Sequence, residues 1–272
     1  MKPRLSSPTG LALVLLVVGT SALAQPATNY EPKVGQPGKD VVWVPTPQAL
    51  VDRMLDMAKV TPQDYVVDLG SGDGRTVITA AKRGIKAHGI EYNPEMAELA
   101  KRNAAAAGVA DKATFVHGDI FQSDFSQATV VTLFLLPGLN IRLRPTLLDM
   151  KPGTRVVSNS FNMGDWEPDD TVTVEEGCTS FCRAYLWIIP AKAGGKWQMG
   201  ASELTIEQQY QMITGTLKTG NVIAPIMQGK LNGDQITFTA ADTRYTGSVK
   251  GSSIEGTSKA GTSEAKWQAT RQ

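Results

Sequence analysis

A chain of 272 residues is long enough for two domains. Its 27 basic and 26 acidic side chains nearly cancel, and its composition is that of a folded protein, which excludes widespread disorder. Residues 25–191 carry a formal charge of −4 and residues 192–272 one of +3, so neither part has the strong basic bias of a nucleic-acid binder.

The first 24 residues read as a secretory signal peptide. Lys2 and Arg4 give a basic start, Leu11 to Val18 is an unbroken apolar run, and Ala22-Leu23-Ala24 matches the small-x-small site cut by signal peptidase. The mature chain then begins at Gln25, and the protein is expected to be exported, to a periplasm or out of the cell, with no stable membrane span. An uncleaved anchor is the competing reading, but the apolar run is shorter than the ~20 residues that span a bilayer comfortably. Residues 25–40, rich in Pro and Gly, are expected to form a flexible arm.

Alternating strands and helices are expected over 41–190. Thr46 is placed to cap a helix opening with Pro47, and Leu50, Val51, Met54, Leu55 and Ala58 form its apolar stripe. Strands are expected at 65–70, 87–91, 113–116, 129–136 and 155–161. Helices are expected over 76–82, from Pro94 to Gly108, and over 141–150. The fourth strand is almost wholly apolar and belongs at the centre of the sheet, covered on both faces. Residues 171–175 and 183–189 read as a closing hairpin. The spacing predicts a Rossmann-like α/β domain with a doubly wound, mainly parallel, seven-stranded sheet and an antiparallel edge.

After Pro190 the texture changes. AKAGGK (191–196) reads as a linker, and short alternating stretches separated by Gly-containing turns fill 197–272. They predict a small β-rich accessory domain, an antiparallel meander or partial barrel of five or six strands. Its Trp197, Tyr210, Phe238 and Trp267 are either core or the lining of a ligand cavity.

The chemistry is carried by Val66-Val67-Asp68-Leu69-Gly70-Ser71-Gly72-Asp73-Gly74-Arg75, where the first strand turns into a helix. Glycines there let the backbone pass close to a ligand, and ligands of doubly wound sheets bind at the carboxyl ends of the strands. A dinucleotide fingerprint is G-x-G-x-x-G; this loop is G-x-G-x-G with Asp68 before it and Asp73 within it. Two carboxylates repel a pyrophosphate but suit an ammonium and a sulfonium, and S-adenosylmethionine (SAM) has both. Glu91, ending the second strand, is placed to accept hydrogen bonds from ribose hydroxyls. Asp119, after the third strand, is placed to accept from the adenine amino group, with Tyr92 and Ile120 flanking the ring. Thr46, Ser71 and Asn93 complete the expected cofactor set. No metal-ligand cluster is apparent, so no metal is expected.

VVDLGSGDGR, GIEYNPEMAELAKRNA and TVVTLFLLP followed by MKPGTRVVSNSF resemble the seven-β-strand methyltransferases. With VPTP (44–47) upstream, the chain is similar to the protein-lysine methyltransferases of the mitochondrial ATP-synthase c-subunit and adenine-nucleotide-translocase type and their prokaryotic relatives. The resemblance covers about residues 42–170. It implies that Asp68, Gly70, Gly72, Asp73 and Gly74 hold the methionine side of SAM, Glu91 the ribose and Asp119 the adenine. It also implies a protein acceptor bearing a lysine amine. The chain departs from these relatives in its export segment and in its β-rich tail.

The acceptor is expected beyond the fourth strand, near Leu136, Pro137 and Asn140, with Asn140 orienting an amine by its side-chain carbonyl. Asp165 and Trp166 are expected as the outer wall of that pocket, the plainer readings being that Pro137 ends a strand and Trp166 is packed. Cys178 and Cys182, in CTSFC, are a local disulfide or two free thiols. Three functions stay open: a protein-lysine N-methyltransferase of the cell envelope, a methyltransferase of small molecules or lipids at the same cofactor site, and a non-catalytic SAM- or ligand-binding envelope protein.

Overall fold

A computed structural model describes Met1 and residues 30–272. The expected signal peptide, apart from Met1, and residues 25–29 of the expected arm lie outside these residues. Among the described residues there are four helices and fifteen strands. The first part runs α1 (Gln48–Met57), β1 (Tyr65–Leu69), α2 (Arg75–Lys82), β2 (Lys86–Glu91), α3 (Pro94–Ala106), β3 (Ala113–His117), β4 (Val130–Leu133), α4 (Pro137–Leu148), β5 (Arg155–Asn159), β6 (Asp170–Thr173) and β7 (Arg183–Ile188).

The sheet order is β3-β2-β1-β4-β5-β7-β6. Strands β1 to β5 are parallel, β7 is antiparallel to β5, and β6 is antiparallel to β7. Every residue of β4 is buried, as its apolar run requires at the middle of a two-faced sheet. One face is covered by α1, α2 and α3, which contribute Leu50, Val51, Met54, Val77, Ala80, Ala100 and Ala104 to one core. The other is covered by α4, with Leu143, Leu147, Trp166 and Trp187 in a second core. The sheet reverses at β1, between β2 on one side and β4 on the other, and the carboxyl ends of those strands open into a crevice.

Three local expectations are corrected. Thr46 is not a helix cap: α1 begins after Pro47, with no side-chain cap. The arm is not free as far as residue 40, because Pro37 bridges Val42 and the backbone exchanges Gly35 N to Trp43 O (2.8 Å) and Trp43 N to Gln36 O (2.9 Å). Nor is 191–196 a linker throughout, since a strand opens at Gly195. Ala191 and Ala193 are buried, and Gln208 Oε1 accepts from the Ala193 and Gly194 amides.

The tail is a closed eight-stranded antiparallel barrel: β8 (Gly195–Met199), β9 (Ser202–Gln209), β10 (Met212–Thr219), β11 (Val222–Asn232), β12 (Gln235–Ala240), β13 (Thr243–Lys250), β14 (Ser253–Ala260) and β15 (Ser263–Arg271). The meander exceeds the five or six strands expected because β8 starts inside the supposed linker and 204–218 folds back at Tyr210 into two strands. Closure pairs the last strand with the first, through Thr270 to Gln198 and Arg271 to Trp197, leaving no open edge. Trp197, Leu204, Ile213, Leu231, Ile236, Phe238 and Ile254 fill the interior, so Trp197 and Phe238 are core.

Trp166 joins the barrel to the α/β part. It is fully buried, stacks on Tyr210 with ring centroids 5.5 Å apart, and donates from Nε1 to Gln211 Oε1 at 2.7 Å. Its own carbonyl accepts from Trp187 Nε1 at 2.9 Å, and Gln211 Nε2 donates to Glu167 O at 2.8 Å. Trp166→Ala is expected to cost about 3–5 kcal/mol at this junction. Calorimetric unfolding should then split from one transition into two; a single unshifted transition contradicts the role.

Candidate active site

The glycine loop is built by the turn from β1 into α2. Gly70, Gly72 and Gly74 all have positive φ (80°, 54° and 84°), a region that costs side chains with a Cβ. Space demands glycine as well: a Cβ on Gly72 would lie 2.7 Å from Trp43 Nε1, and one on Gly74 2.7 Å from Phe115 Cζ. The amides of Gly70 and Ser71 both donate to Ile90 O, tying the loop to the end of β2. Above it lies a cavity of about 550 Å³. Of the residues expected at the cofactor, Thr46, Asp68, Gly70, Ser71, Gly72, Asp73, Glu91, Tyr92, Asn93, Asp119 and Ile120 line it. Gly74 does not; it packs beneath, against Phe115 and Ala100, and precedes the first turn of α2.

The carboxylates differ in their surroundings. Asp68 is 7% exposed and accepts from Thr132 Oγ1 at 2.6 Å. Burial pushes its carboxyl up to about 7; the Thr132 hydroxyl works against this, and the charges of Glu91 and Asp73 add to it. Glu91 is fixed at both oxygens, accepting from the Gly72 amide at 2.8 Å and the Asn93 amide at 2.9 Å. Asn93 in turn caps α3, accepting from the Glu95 and Met96 amides ahead of Pro94. Asp73 lines the cavity but its carboxylate is committed. Arg75 grips it by two bonds, Nε to Oδ1 at 3.0 Å and Nη2 to Oδ2 at 2.6 Å, and also donates to Thr46 O. Of the two loop acids expected to face a cationic ligand, only Asp68 is therefore uncompensated by a cation among the described residues.

The folded part of the arm crosses the cavity, contributing Gln36 to Trp43 to its wall. Lys39 Nζ donates to Asp119 Oδ2 at 2.8 Å and lies 4.6 Å from the Tyr92 ring centroid. This bond, with the Phe121 amide on Oδ1, holds the Asp119 carboxyl below its ordinary value. Sequence reasoning missed Lys39 and Trp43 because a Pro- and Gly-rich stretch carries no periodicity.

The half of the cavity beyond β4 has a different character. It is lined by Leu133, Phe134, Leu135, Leu136, Leu139, Phe161 and Phe181. Phe181 comes from the β6–β7 loop, closed by a Cys178–Cys182 disulfide. Of the residues expected at the acceptor, Leu136 lines this half and the other four lie elsewhere. Pro137 is the first residue of α4 and does not line the cavity. Asn140 is fully buried behind the wall, where Nδ2 donates to Phe161 O (3.1 Å) and Asn162 O (3.2 Å); its side-chain carbonyl faces no opening. Asp165 is paired with Arg144 at 2.5 Å and with Tyr210, and Trp166 is at the barrel junction; neither lines the cavity. Sequence spacing placed all four beyond the correct strands, but side-chain direction there depends on the packing of α4 and the barrel.

The cavity thus offers carboxylates and the Ser71 hydroxyl, buried without a hydrogen-bond partner, on one side, and apolar walls on the other. The donors of SAM (ammonium, ribose hydroxyls and adenine amine) match those acceptors, whereas a pyrophosphate would meet like charge. Fold and site together define a class I SAM-dependent methyltransferase. Comparison with known proteins gives the same class. The ANTKMT methyltransferase domain matches residues 68–170. The chain is 47% identical over 152 residues to a protein-lysine N-methyltransferase of Saccharolobus islandicus, covering 55% of this chain and 94% of that protein. It is 35% identical over 130 residues to the ATP synthase c-subunit lysine N-methyltransferase of Mus musculus, covering 47% of this chain and about half (52%) of that protein. A crystal structure described as an RNA methyltransferase from Salinibacter ruber, in complex with S-adenosyl-L-homocysteine, is 50% identical, with a TM-score of 0.52 over 55% of this chain and 95% of that one. The chain belongs to this family of SAM-dependent methyltransferases.

The raised Asp68 carboxyl has a consequence for stability. As pH rises from the ordinary aspartate value of 3.8 to about 7, the unfolded chain releases a proton that the folded one keeps, so stability is lost across that window. Asp68→Asn, measured without ligand, is expected to melt higher than wild type at about pH 8, by ~2–4 °C for each kcal/mol recovered. The gap should close as pH falls toward about 4; a variant less stable at every pH shows that the buried charge is not a liability.

Proposed function

We propose that this chain is a protein-lysine N-methyltransferase acting in the cell envelope. The observation that carries the lysine reading is the division of the crevice into an acid-lined half at β1, β2 and β3 and an uncharged, apolar half beyond β4. The lysine activity of the Saccharolobus and mouse relatives supports the same substrate class. Export is supported by the amino-terminal sequence pattern and by the Cys178–Cys182 disulfide, a bond that persists in oxidising compartments.

SAM supplies an electrophilic methyl group on a sulfonium. In the proposed roles Asp68 takes its ammonium, Glu91 its ribose hydroxyls and Asp119 its adenine amine. Ser71 offers a further hydrogen bond, and Tyr92 and Ile120 flank the ring. The two amide bonds to Glu91 fix its direction, so little ordering is left for binding to complete. The protein's largest contribution to rate is alignment, which in favourable cases lowers a barrier by ~7–11 kcal/mol. The apolar half strips water from an entering ammonium and lowers its pKa, favouring the neutral amine that has a lone pair to donate.

Glu91→Ala is expected to weaken SAM binding about 10- to 100-fold by calorimetry. Because Asp68 titrates at about 7, wild-type affinity should fall as pH is lowered through that value, where the carboxylate that would meet the ammonium is lost. A pH-independent affinity contradicts the contact between Asp68 and the ammonium. Incubation with methyl-labelled SAM and an envelope extract, followed by separation of protein, lipid and RNA, tests the acceptor. Label on lysine is expected. Label confined to lipid or RNA overturns the reading, and the RNA fraction matters because the Salinibacter relative is described as an RNA enzyme.

A further inference from the structure

Three phenylalanines meet at the apolar end of the cavity. Phe134 follows β4, Phe161 follows β5, and Phe181 comes from the β6–β7 loop. Their ring centroids lie 6.2 Å (Phe134–Phe161), 5.2 Å (Phe134–Phe181) and 6.3 Å (Phe161–Phe181) apart. They pack on one another and present a continuous aromatic wall to the cavity. Each is held by a separate device. Phe134 leaves a wholly buried strand. Phe161 follows Ser160, whose φ is +60°, in a turn fixed from behind: Ser158 Oγ and Asn140 Nδ2 both donate to its carbonyl, at 2.7 and 3.1 Å. Phe181 itself has a φ of +55° and is 40% exposed, inside the five-residue ring closed by Cys178 and Cys182. A large aromatic in the left-handed region, half open to solvent, is costly unless the chain around it enforces that conformation. The loop also lies against α1: a Cβ on Gly177 would be 3.3 Å from Ala49 Cβ.

We propose that Phe134, Phe161 and Phe181 are the specificity wall for the methyl acceptor, receiving an unbranched alkylammonium, and that the Cys178–Cys182 disulfide holds Phe181 in that wall. The proposal rests on the lysine reading above. The wall lines the half of the crevice beyond β4, apart from the acids assigned to SAM at β1, β2 and β3. As the amine lone pair forms its bond to the methyl carbon, the carbon–sulfur bond breaks and its electron pair stays with sulfur. Positive charge therefore passes to nitrogen, and the surplus proton later leaves to solvent. Ring faces stabilise that charge, while the apolar lining takes the methylenes of a lysine side chain.

The probe is n-butyltrimethylammonium, titrated calorimetrically into the full chain in the presence of S-adenosyl-L-homocysteine. Phe181→Ala is expected to bind it about tenfold more weakly while its affinity for SAM stays that of wild type. The Cys178→Ser/Cys182→Ser variant keeps the ring but not its tether and should show the same loss. So should wild type treated with dithiothreitol, which gives two electrons and two protons to the bond and leaves two thiols. Unchanged probe affinity in Phe181→Ala overturns the wall, and unchanged affinity after reduction overturns the tether. If wild type labels no lysine yet binds the probe through Phe181, the lysine reading falls and the wall stands. If wild type and Phe181→Ala label lysine with the same KM and bind the probe alike, the wall falls and the lysine reading stands.

Discussion

Asp68 is a carboxylate held out of water at the end of a central strand, with two further acids nearby and, among the described residues, no cation bonded to it. Much of the site is arranged around that cost. Thr132, on the adjacent strand, gives it one hydrogen bond. Arg75 takes the charge of Asp73 away from it by a two-bonded pair. The remaining charge is left for a ligand to satisfy, and a buried, under-compensated acid is a natural partner for an ammonium. The same feature that weakens the fold thus suits the site to a cationic ligand rather than a phosphorylated one.

Around this group the loop and its neighbours form one connected assembly. Glu91 couples the glycine loop to the start of α3, and Asn93 couples that start to its own first turn. Trp43 rests where a side chain on Gly72 would stand, so the arm and the loop constrain each other. Lys39 ties the arm to Asp119 across the crevice. That pair is exposed enough for solvent to weaken it, so it orients the arm more than it stabilises the fold. The barrel takes no direct part in the cavity. It is locked to the second core through Trp166, Tyr210 and Gln211, beside the segment that carries Phe161, and its own interior is filled with side chains.

Much of this was legible in the order of residues alone. Signals that act over a few residues survive in the sequence. A β-branched run ending in glycines marks a strand-to-helix turn, Asn-Pro marks a helix start, and an all-apolar run marks a central strand. Asp68, Glu91 and Asp119 sit at strand ends, whose position in a doubly wound sheet is set by topology, and all three line the cavity. The acceptor side was not legible in the same way. Asn140 and Trp166 were placed beyond the correct strands, but whether a side chain there faces the cavity, the core or the barrel is decided by neighbours distant in the chain.

The sequence by itself therefore determined the alternation of strands and helices, the glycine loop and the order of the acids, because each depends on local backbone preference and on hydrophobic period. Tertiary structure alone decided four other matters: the bond from Arg75 to the Thr46 carbonyl, the laying of the arm over the crevice, the turn at Tyr210 and the closure of the barrel. The Tyr210 turn has no glycine; its backbone is held at a φ of +53° while the ring stacks on Trp166 of the α/β part. Barrel closure likewise needs β15 to find β8, some seventy residues earlier. Contacts of this kind follow from packing between remote segments, and no window of adjacent residues records them.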